Sequence, residues 1–443
     1  MVRVLALDVG TSSIRALVHK EDGEPGGEIA SRKYETTDPD RMVEAVRSAL
    51  EEALGGADVD AVGASTFGHS LLVLDARGRP ASPVYMWRDT RSEDAAERLK
   101  RRLDPEAVHA RTGAYLHSSY WPAKLAWLAE EEPELFNSAG RFVSFADYLY
   151  ERLTGQVPQS SVSLASGTGL LDLVGGTWDE ELLSTLGLDP DRLPQLGDEP
   201  VGDWYPALVD GACSNLGAGC VTRERAALMV GTSGAYRVLY GTERPQPRPG
   251  LFMYRVDDRR VLEGGALSDG GNVHGWLDGL FGVDEDEEAL AARDPDDHHL
   301  TFLTLLGGER SPGWRAHVRG SISGLSFETT PRDLRQAALE GVAFRFAAVA
   351  ELLPDVEEVV ATGGALVHNP AWCQLMADAL ARPITLSEVE EASLRGAAVA
   401  TLERLGETPA TAPLGRTFEP RPDRADAYRE ARERDRRLYD AVT

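Results

Sequence analysis

The first seventy residues alternate short apolar runs with turn-forming clusters. Val2 to Asp8 is an apolar run of strand character and Ile14 to His19 is a second, joined by Gly10-Thr11-Ser12-Ser13. A third extended stretch, Glu28 to Glu35, follows the turn Glu24-Pro25-Gly26-Gly27. Asp40 to Leu54 then places Val43, Val46, Leu50 and Leu54 at helical spacing, and Gly55-Gly56 stops the helix. Val59 to Thr66 returns as a strand. This order opens with an antiparallel meander, unlike a plain βαβ start.

The same pattern returns halfway along the chain. Leu7-Asp8-Val9-Gly10-Thr11-Ser12-Ser13 recurs as Met229-Val230-Gly231-Thr232-Ser233-Gly234, again between a strand and a β-rich run. Its position predicts two halves of one shared fold, 1–220 and 221–443, with the boundary near Gly219 to Arg225. The copies differ at one telling place, where Met229 replaces Asp8. Further on, Asp333 to Leu353 is predicted as a helix with Leu334, Ala338, Val342 and Phe346 on one face. Val356 to Thr362 follows as a strand, Gly363-Gly364-Ala365 as a tight turn, and Ala371 to Leu380 as a helix with Pro370 at its first turn.

Composition narrows the function classes. The 443 residues call for about two domains. The 46 Lys and Arg against 72 Asp and Glu leave a net charge of −26, which disfavours nucleic-acid and membrane-surface roles. No apolar run approaches the ~18 residues of a membrane span. A carboxylate at position 8 comes too early for a signal peptide, so a cytoplasmic location is expected. Cys213, Cys220 and Cys373 match no metal or redox spacing and read as reduced, buried thiols. Asp284 to His299 reads as an acidic surface insertion, with His298 and His299 as solvated residues rather than metal ligands. Asp423 to Val442 reads as a charged C-terminal helix of no special role, and a homodimer is left open.

Taken singly, Asp8-Val9-Gly10-Thr11-Ser12 reads better as a capped hairpin turn than as a phosphate site. Two copies change the balance. Facing each other across a cleft, Gly10, Thr11 and Ser12 with Gly231, Thr232 and Ser233 would clamp a triphosphate, and Asp8 would hold Mg2+ through water. Gly363-Gly364 would receive the nucleoside, which points to ATP.

More specific runs follow. Gly320-Ser321-Ile322-Ser323-Gly324-Leu325, a seven-residue gap, then Asp333-Leu334-Arg335-Gln336-Ala337-Ala338-Leu339-Glu340 fit the second-half signature of the FGGY family of carbohydrate kinases. Lys124-Leu125-Ala126-Trp127-Leu128 is a near match to the first-half signature, which Trp121 interrupts. Gly307-Gly308-Glu309-Arg310-Ser311-Pro312, Trp87-Arg88-Asp89-Thr90-Arg91 and Ala361-Thr362-Gly363-Gly364-Ala365 also resemble that family. The resemblance spans essentially the whole chain. It implies two α/β domains of the RNase H-like, actin-like ATPase fold with the active site between them.

It further implies Asp210 as the carboxylate that takes the proton of the attacking sugar hydroxyl, ATP on Gly363, Gly364, Ala365 and Asn369, and sugar on Phe67, His69, Trp87, Arg88, Asp89 and Asp210. Glycerol-type members carry an Arg-Glu pair where this chain has Gly68-His69. The runs Ser65 to Leu72, Ser118 to Lys124 and Leu164 to Asp172 resemble gluconate-type members. Gluconate is therefore the expected substrate, with xylulose or another ketopentose second. A sugar acid needs a cation, for which Arg88, Arg91, Lys124 and His69 are candidates. A non-catalytic sugar or nucleotide sensor and a motion-producing ATPase are the rival readings. Both Asp8 and Asp210 are present, which counts against the sensor, and the sugar-side runs count against the motor.

Overall fold

A computed structural model of the chain describes residues 2–281 and 293–443. The expected acidic insertion over 284–299 lies, as far as residue 292, outside the described residues.

The first sheet contains β1 (Arg3–Val9), β2 (Ser13–Lys20), β3 (Ala30–Lys33), β4 (Ala61–Thr66) and β5 (Leu208–Val209), in the order β3-β2-β1-β4-β5. The second contains β6 (Arg225–Val230), β7 (Gly234–Gly241), β8 (Phe252–Arg255), β9 (Arg260–Leu267), β10 (Glu358–Thr362), β11 (Ile384–Ser387) and β12 (Leu414–Phe418), in the order β8-β9-β7-β6-β10-β11-β12. The internal repeat is a structural repeat. β1 pairs antiparallel with β2 and parallel with β4, and β6 pairs antiparallel with β7 and parallel with β10. Each turn is closed by its glycine, Gly10 N–H donating to the Ser13 carbonyl three residues on and Gly231 N–H to the Ser233 carbonyl two residues on, both at 2.9 Å.

Helix α1 (Pro39–Leu54) starts on Asp38, whose carboxylate accepts from the N–H groups of Asp40 and Arg41, and ends at Gly55 in the left-handed region. It buries Met42, Val43, Val46, Ala49 and Leu50 against the first sheet's core, close to the predicted face. The three cysteines are unpaired and buried. Among the described residues no helix is long and apolar enough to cross a membrane.

The halves meet in part through two helices. Helix α2 (Asp210–Gly217) follows β5, and α6 (Ala392–Leu405), from the second half, packs against α2, β4 and β1. The contact is backbone on backbone. A Cβ on Gly217 would stand 1.8 Å from the Ala392 carbonyl oxygen, and one on Gly396 would stand 1.8 Å from the Cys213 carbonyl oxygen. Gly396→Ala is therefore expected to force the helices apart at an overpacking cost on the order of 1–3 kcal/mol. Calorimetry would register this as a lower thermal midpoint, and an unchanged midpoint would contradict the close packing.

The C-terminal helix α7 (Ala425–Val442) departs from the plain charged helix expected. Asp435 is buried and pairs with the buried Arg345 of α4 (Pro331–Glu351), and the Tyr439 hydroxyl donates to Glu309 at 2.6 Å. Its charged positions are thus built into the second-half core beside the segment 307–312.

Candidate active site

The carboxyl ends of the parallel strands converge on one region, the usual place for a ligand in an open α/β sheet. Asp8 lies at the end of β1, Phe67 follows β4, Asp210 follows β5, Gly231 follows β6 and Gly363 follows β10.

Register explains the surroundings of Asp8. Its neighbours across the sheet are Arg15 on β2 and Ser65 on β4. Ser65 Oγ donates to Asp8 Oδ1 at 2.8 Å, and Arg15 Nη1 stands 3.5 Å from Oδ2. Burial, and then the charge of Asp210, outweigh these contacts and push the Asp8 carboxyl up to about 6. Arg15 also reaches Glu391 at 2.9 Å, tying the first loop to the second half. At the matching place in the repeat Met229 stands between Ala235 and Thr362, so only the first copy offers a carboxylate.

Asp210 opens α2 and is exposed at the cleft surface, yet it is ringed by enough protein for desolvation to raise its pKa. The charges of Arg237 and Arg310 and the Gly211 N–H at 2.8 Å oppose that rise. Gly211 is what leaves room for Arg237, because a Cβ there would meet its Nη1 at 2.7 Å. Two carboxylates, each held above its ordinary pKa and near enough for Asp210 to act on Asp8, form an oxygen donor set that fits a hard divalent cation held through water.

The loops expected to hold phosphate are open. Ser12 and Thr232 are exposed and Gly10, Thr11, Gly231 and Ser233 half-buried. The Tyr34 hydroxyl donates to the Gly10 carbonyl and braces the first turn. In the second half, Gly271, which opens α3 (Gly271–Phe281), donates its N–H to the Gly231 carbonyl at 2.7 Å. A Cβ on Gly271 would stand 2.7 Å from that same oxygen and 3.4 Å from Ala365, so these turns are contiguous. Gly363 has φ of 85°, and a Cβ there would lie 2.6 Å from the Val230 carbonyl oxygen. The expected tight turn at 363–365 is instead Gly363 followed by one helical turn, Gly364–Val367. Asn369 caps α5 (Pro370–Leu380), its Oδ1 accepting from Trp372 N–H at 2.9 Å, which leaves its amide nitrogen for a ligand.

A cluster of aromatic rings lies near Asp210, close enough for its charge to act on Tyr254. His69, at φ 64°, directs its Nδ1–H to the Gly167 carbonyl, and burial with nearby Arg310 and Lys124 lowers its pKa to about 3. The ring is therefore neutral, and Nε2 can accept a hydrogen bond from a hydroxyl. Its ring meets Tyr120 edge-on at 4.8 Å and Tyr254 at 5.6 Å. The Tyr120 and Tyr254 hydroxyls are hydrogen-bonded to each other, joining the two halves. Trp314 stacks on Tyr115 at 4.7 Å, and the Arg310 guanidinium lies 5.3 Å from the Trp87 ring centroid.

Several expectations change here. Phe67 is 3% exposed and stacks on Phe145 within the core, so it can offer a ligand only its backbone. Asp89 is taken by Arg91, which lies over Tyr85 and Trp127. Lys124 is buried, donates to the His69 and Ser119 carbonyls at 2.6 and 2.9 Å, and is lowered by desolvation to about 7. Arg88 is exposed, and its charge acts on Tyr34 beside the first loop. Trp121 is buried, its indole N–H donating to the Ser70 carbonyl at 2.8 Å. Tyr120, Tyr254, Trp314 and Arg310 were not singled out for this aromatic cluster from the sequence, although Arg310 lies in one of the family-like runs.

His298 also corrects its expectation. Its side chain is 1% exposed, and its ligand atom lies within 4.8 Å of those of Asp296 and Glu340. Leu300 N–H donates to Nδ1 at 2.9 Å, so Nε2 carries the proton it gives to Glu340 at 3.1 Å. Neither nitrogen has a lone pair to spare for a metal. His299 is exposed, as expected.

Known proteins give the same architecture. The family model described as FGGY family of carbohydrate kinases, N-terminal domain, matches residues 3–202, and its C-terminal counterpart matches 226–402. A gluconokinase from Bacillus subtilis is 28% identical over 451 aligned positions, covering 91% of this chain and 88% of its own. Crystal structures of a xylulose kinase and a gluconate kinase from Lactobacillus acidophilus each superpose with a TM-score of 0.91 at 26% identity. The first covers 100% of this chain and 98% of its own, the second 99% and 98%. The chain belongs to the FGGY family of carbohydrate kinases, with the actin-like ATPase fold, and is an ATP-dependent kinase of a small sugar-class substrate.

Proposed function

We propose that this kinase phosphorylates gluconate or a close aldonic acid, with Asp210 as the base. The mechanism is supported by Asp210 lying near enough to Asp8 of the first loop and to Tyr254 of the aromatic cluster for its charge to act on both, with desolvation raising its own pKa. A sugar hydroxyl is a poor nucleophile while it keeps its proton. As its oxygen bonds to the γ-phosphorus, the proton passes to an Asp210 carboxylate oxygen and the bridging oxygen leaves with ADP. The amides and hydroxyls of Gly10, Thr11 and Ser12 and of Gly231, Thr232 and Ser233 hold the phosphates, and the Gly363, Gly364, Ala365 and Asn369 segment receives the adenosine. Asp8 would hold Mg2+, which would neutralise phosphate charge. His69 Nε2 accepts from a sugar hydroxyl, and the Trp87 indole offers an apolar face.

Gluconate is supported by the Gly68-His69 pair in place of Arg-Glu and by similarity to a gluconokinase along nine-tenths of the chain. Xylulose is the second reading, supported by the equal superposition on a xylulose kinase. An ATP-coupled assay over gluconate, other aldonic acids, xylulose, other ketoses, and glycerol decides between them. Gluconate or a near aldonate is expected to give the highest kcat/KM and glycerol a low one. A neutral ketose that outperforms every aldonate would remove the gluconate assignment and leave the kinase.

A further inference from the structure

We infer that Arg310, contributed by the second half, is the cation that receives the substrate's carboxylate. The inference rests on the aldonate reading above. The four cations expected from the sequence are occupied elsewhere or unsuited. Arg91 is bound to Asp89, the Lys124 ammonium is spent on two carbonyls, Arg88 is exposed and acts near the first loop, and His69 is neutral.

Arg310 differs from all of them. Among the described residues no carboxylate lies within 4 Å of it, and its Nε is buried without a hydrogen-bond partner. Its guanidinium crosses from the second half to lie over Trp87, beside the Tyr120 hydroxyl, and its charge acts on Asp210, His69, His117, Lys124 and Tyr254. A guanidinium cannot shed its charge, and here the Tyr120 hydroxyl and the charge of Asp210, rather than a close ion pair, meet it, which leaves it able to take a carboxylate. Its planar fork matches a carboxylate with two parallel hydrogen bonds.

The segment that carries it is fixed in advance. Leu306 and Gly307 N–H groups donate to Asp269 at 3.0 and 3.3 Å, and Ser311 exchanges hydrogen bonds with Ala266 at 2.9 and 3.1 Å. Glu309 is held by Tyr439 of α7. The neighbouring Gly308 adopts φ 77°, where a Cβ would meet the Ala316 carbonyl oxygen at 2.3 Å. The backbone that aims Arg310 therefore has little freedom, as suits a specificity contact.

The test compares kcat/KM for gluconate and for xylulose in wild type, Arg310→Met and Arg310→Lys. Arg310→Met is expected to lower the gluconate-to-xylulose ratio at least ~30-fold, the lower range for removing one partner of a buried charge pair, and Arg310→Lys to restore part of it. Gluconate titrated calorimetrically without nucleotide should show the same ordering of affinities. Thermal midpoints report folding. If Arg310→Met does not fold, the Lys variant and an Arg310→Gln variant carry the comparison, the ratio falling further in Gln than in Lys. A ratio within about threefold of wild type in the folded variants overturns the inference, since a role in phosphoryl transfer or folding would depress both substrates together. If wild type itself prefers a neutral ketose, the aldonate reading fails and this inference fails with it. If wild type prefers gluconate and the ratio does not move, only the role of Arg310 is lost.

Discussion

Asp210→Asn is expected to reduce turnover on the best substrate at least ~100-fold while leaving the fold and nucleotide binding in place. The change is nearly isosteric, and the Asn Oδ1 can still accept the Gly211 N–H that Asp210 now takes at 2.8 Å. What disappears is the ability to hold the proton of the attacking hydroxyl. The loss should appear in kcat, because an amide still fits the same space and only the transition state needs the base. Fluorescent nucleotide titration and the thermal midpoint check that the variant is folded and occupied. A variant turning over at near wild-type rate would show that the proton leaves by another route.

Asp8→Ala should have the second-largest effect, and its signature is a different one. The affinity for Mg-nucleotide should fall at least ~10-fold, with sugar affinity nearly unchanged, if Asp8 serves the ion as proposed and not the sugar. A pH dependence accompanies it. Asp8 is raised to about 6, so its carboxylate is ionised above that value and neutral below it. Cation affinity therefore weakens as pH falls through about 6, and Asp8→Asn should flatten that limb. Titrating Mg-nucleotide between pH 5 and 8 in both proteins reads this directly. Equal weakening of sugar and nucleotide, or an acid limb that persists in Asp8→Asn, would place Asp8 in a general structural role.

Local patterns reveal local structure, and here they revealed a good deal. The two glycine-hydroxyl turns were legible because each is flanked by β-runs and lies within a few residues, and both proved to be hairpins on equivalent strands. The α1 face was legible because apolar spacing and the Gly55 stop are also local. Asp210 carried no local signal beyond a carboxylate in a loop, and only the family-like register pointed to it. The aromatic cluster near Asp210 was least legible. Tyr120 and Tyr254 are 134 residues apart, and no periodicity announces that their hydroxyls meet. Phe67 misled because an aromatic beside Gly68-His69-Ser70 suits either a sugar face or a core, and packing on Phe145 decided the matter. His298 misled for the opposite reason, since its acidic surroundings suggested water where Glu340 supplies a buried partner.

The missing side chains at Gly217 and Gly396 bear on catalysis as well as on stability. Helix α2 begins with Asp210, and its far end rests, backbone to backbone, on α6 of the other half. The height of the Asp210 carboxylate over the two glycine-hydroxyl turns therefore follows this close backbone contact, as a shaft follows its bearing. Enlarging either glycine would lift one end of that shaft and misplace its other end. An inactive yet well-folded enzyme could then arise from a substitution that touches neither sugar nor phosphate.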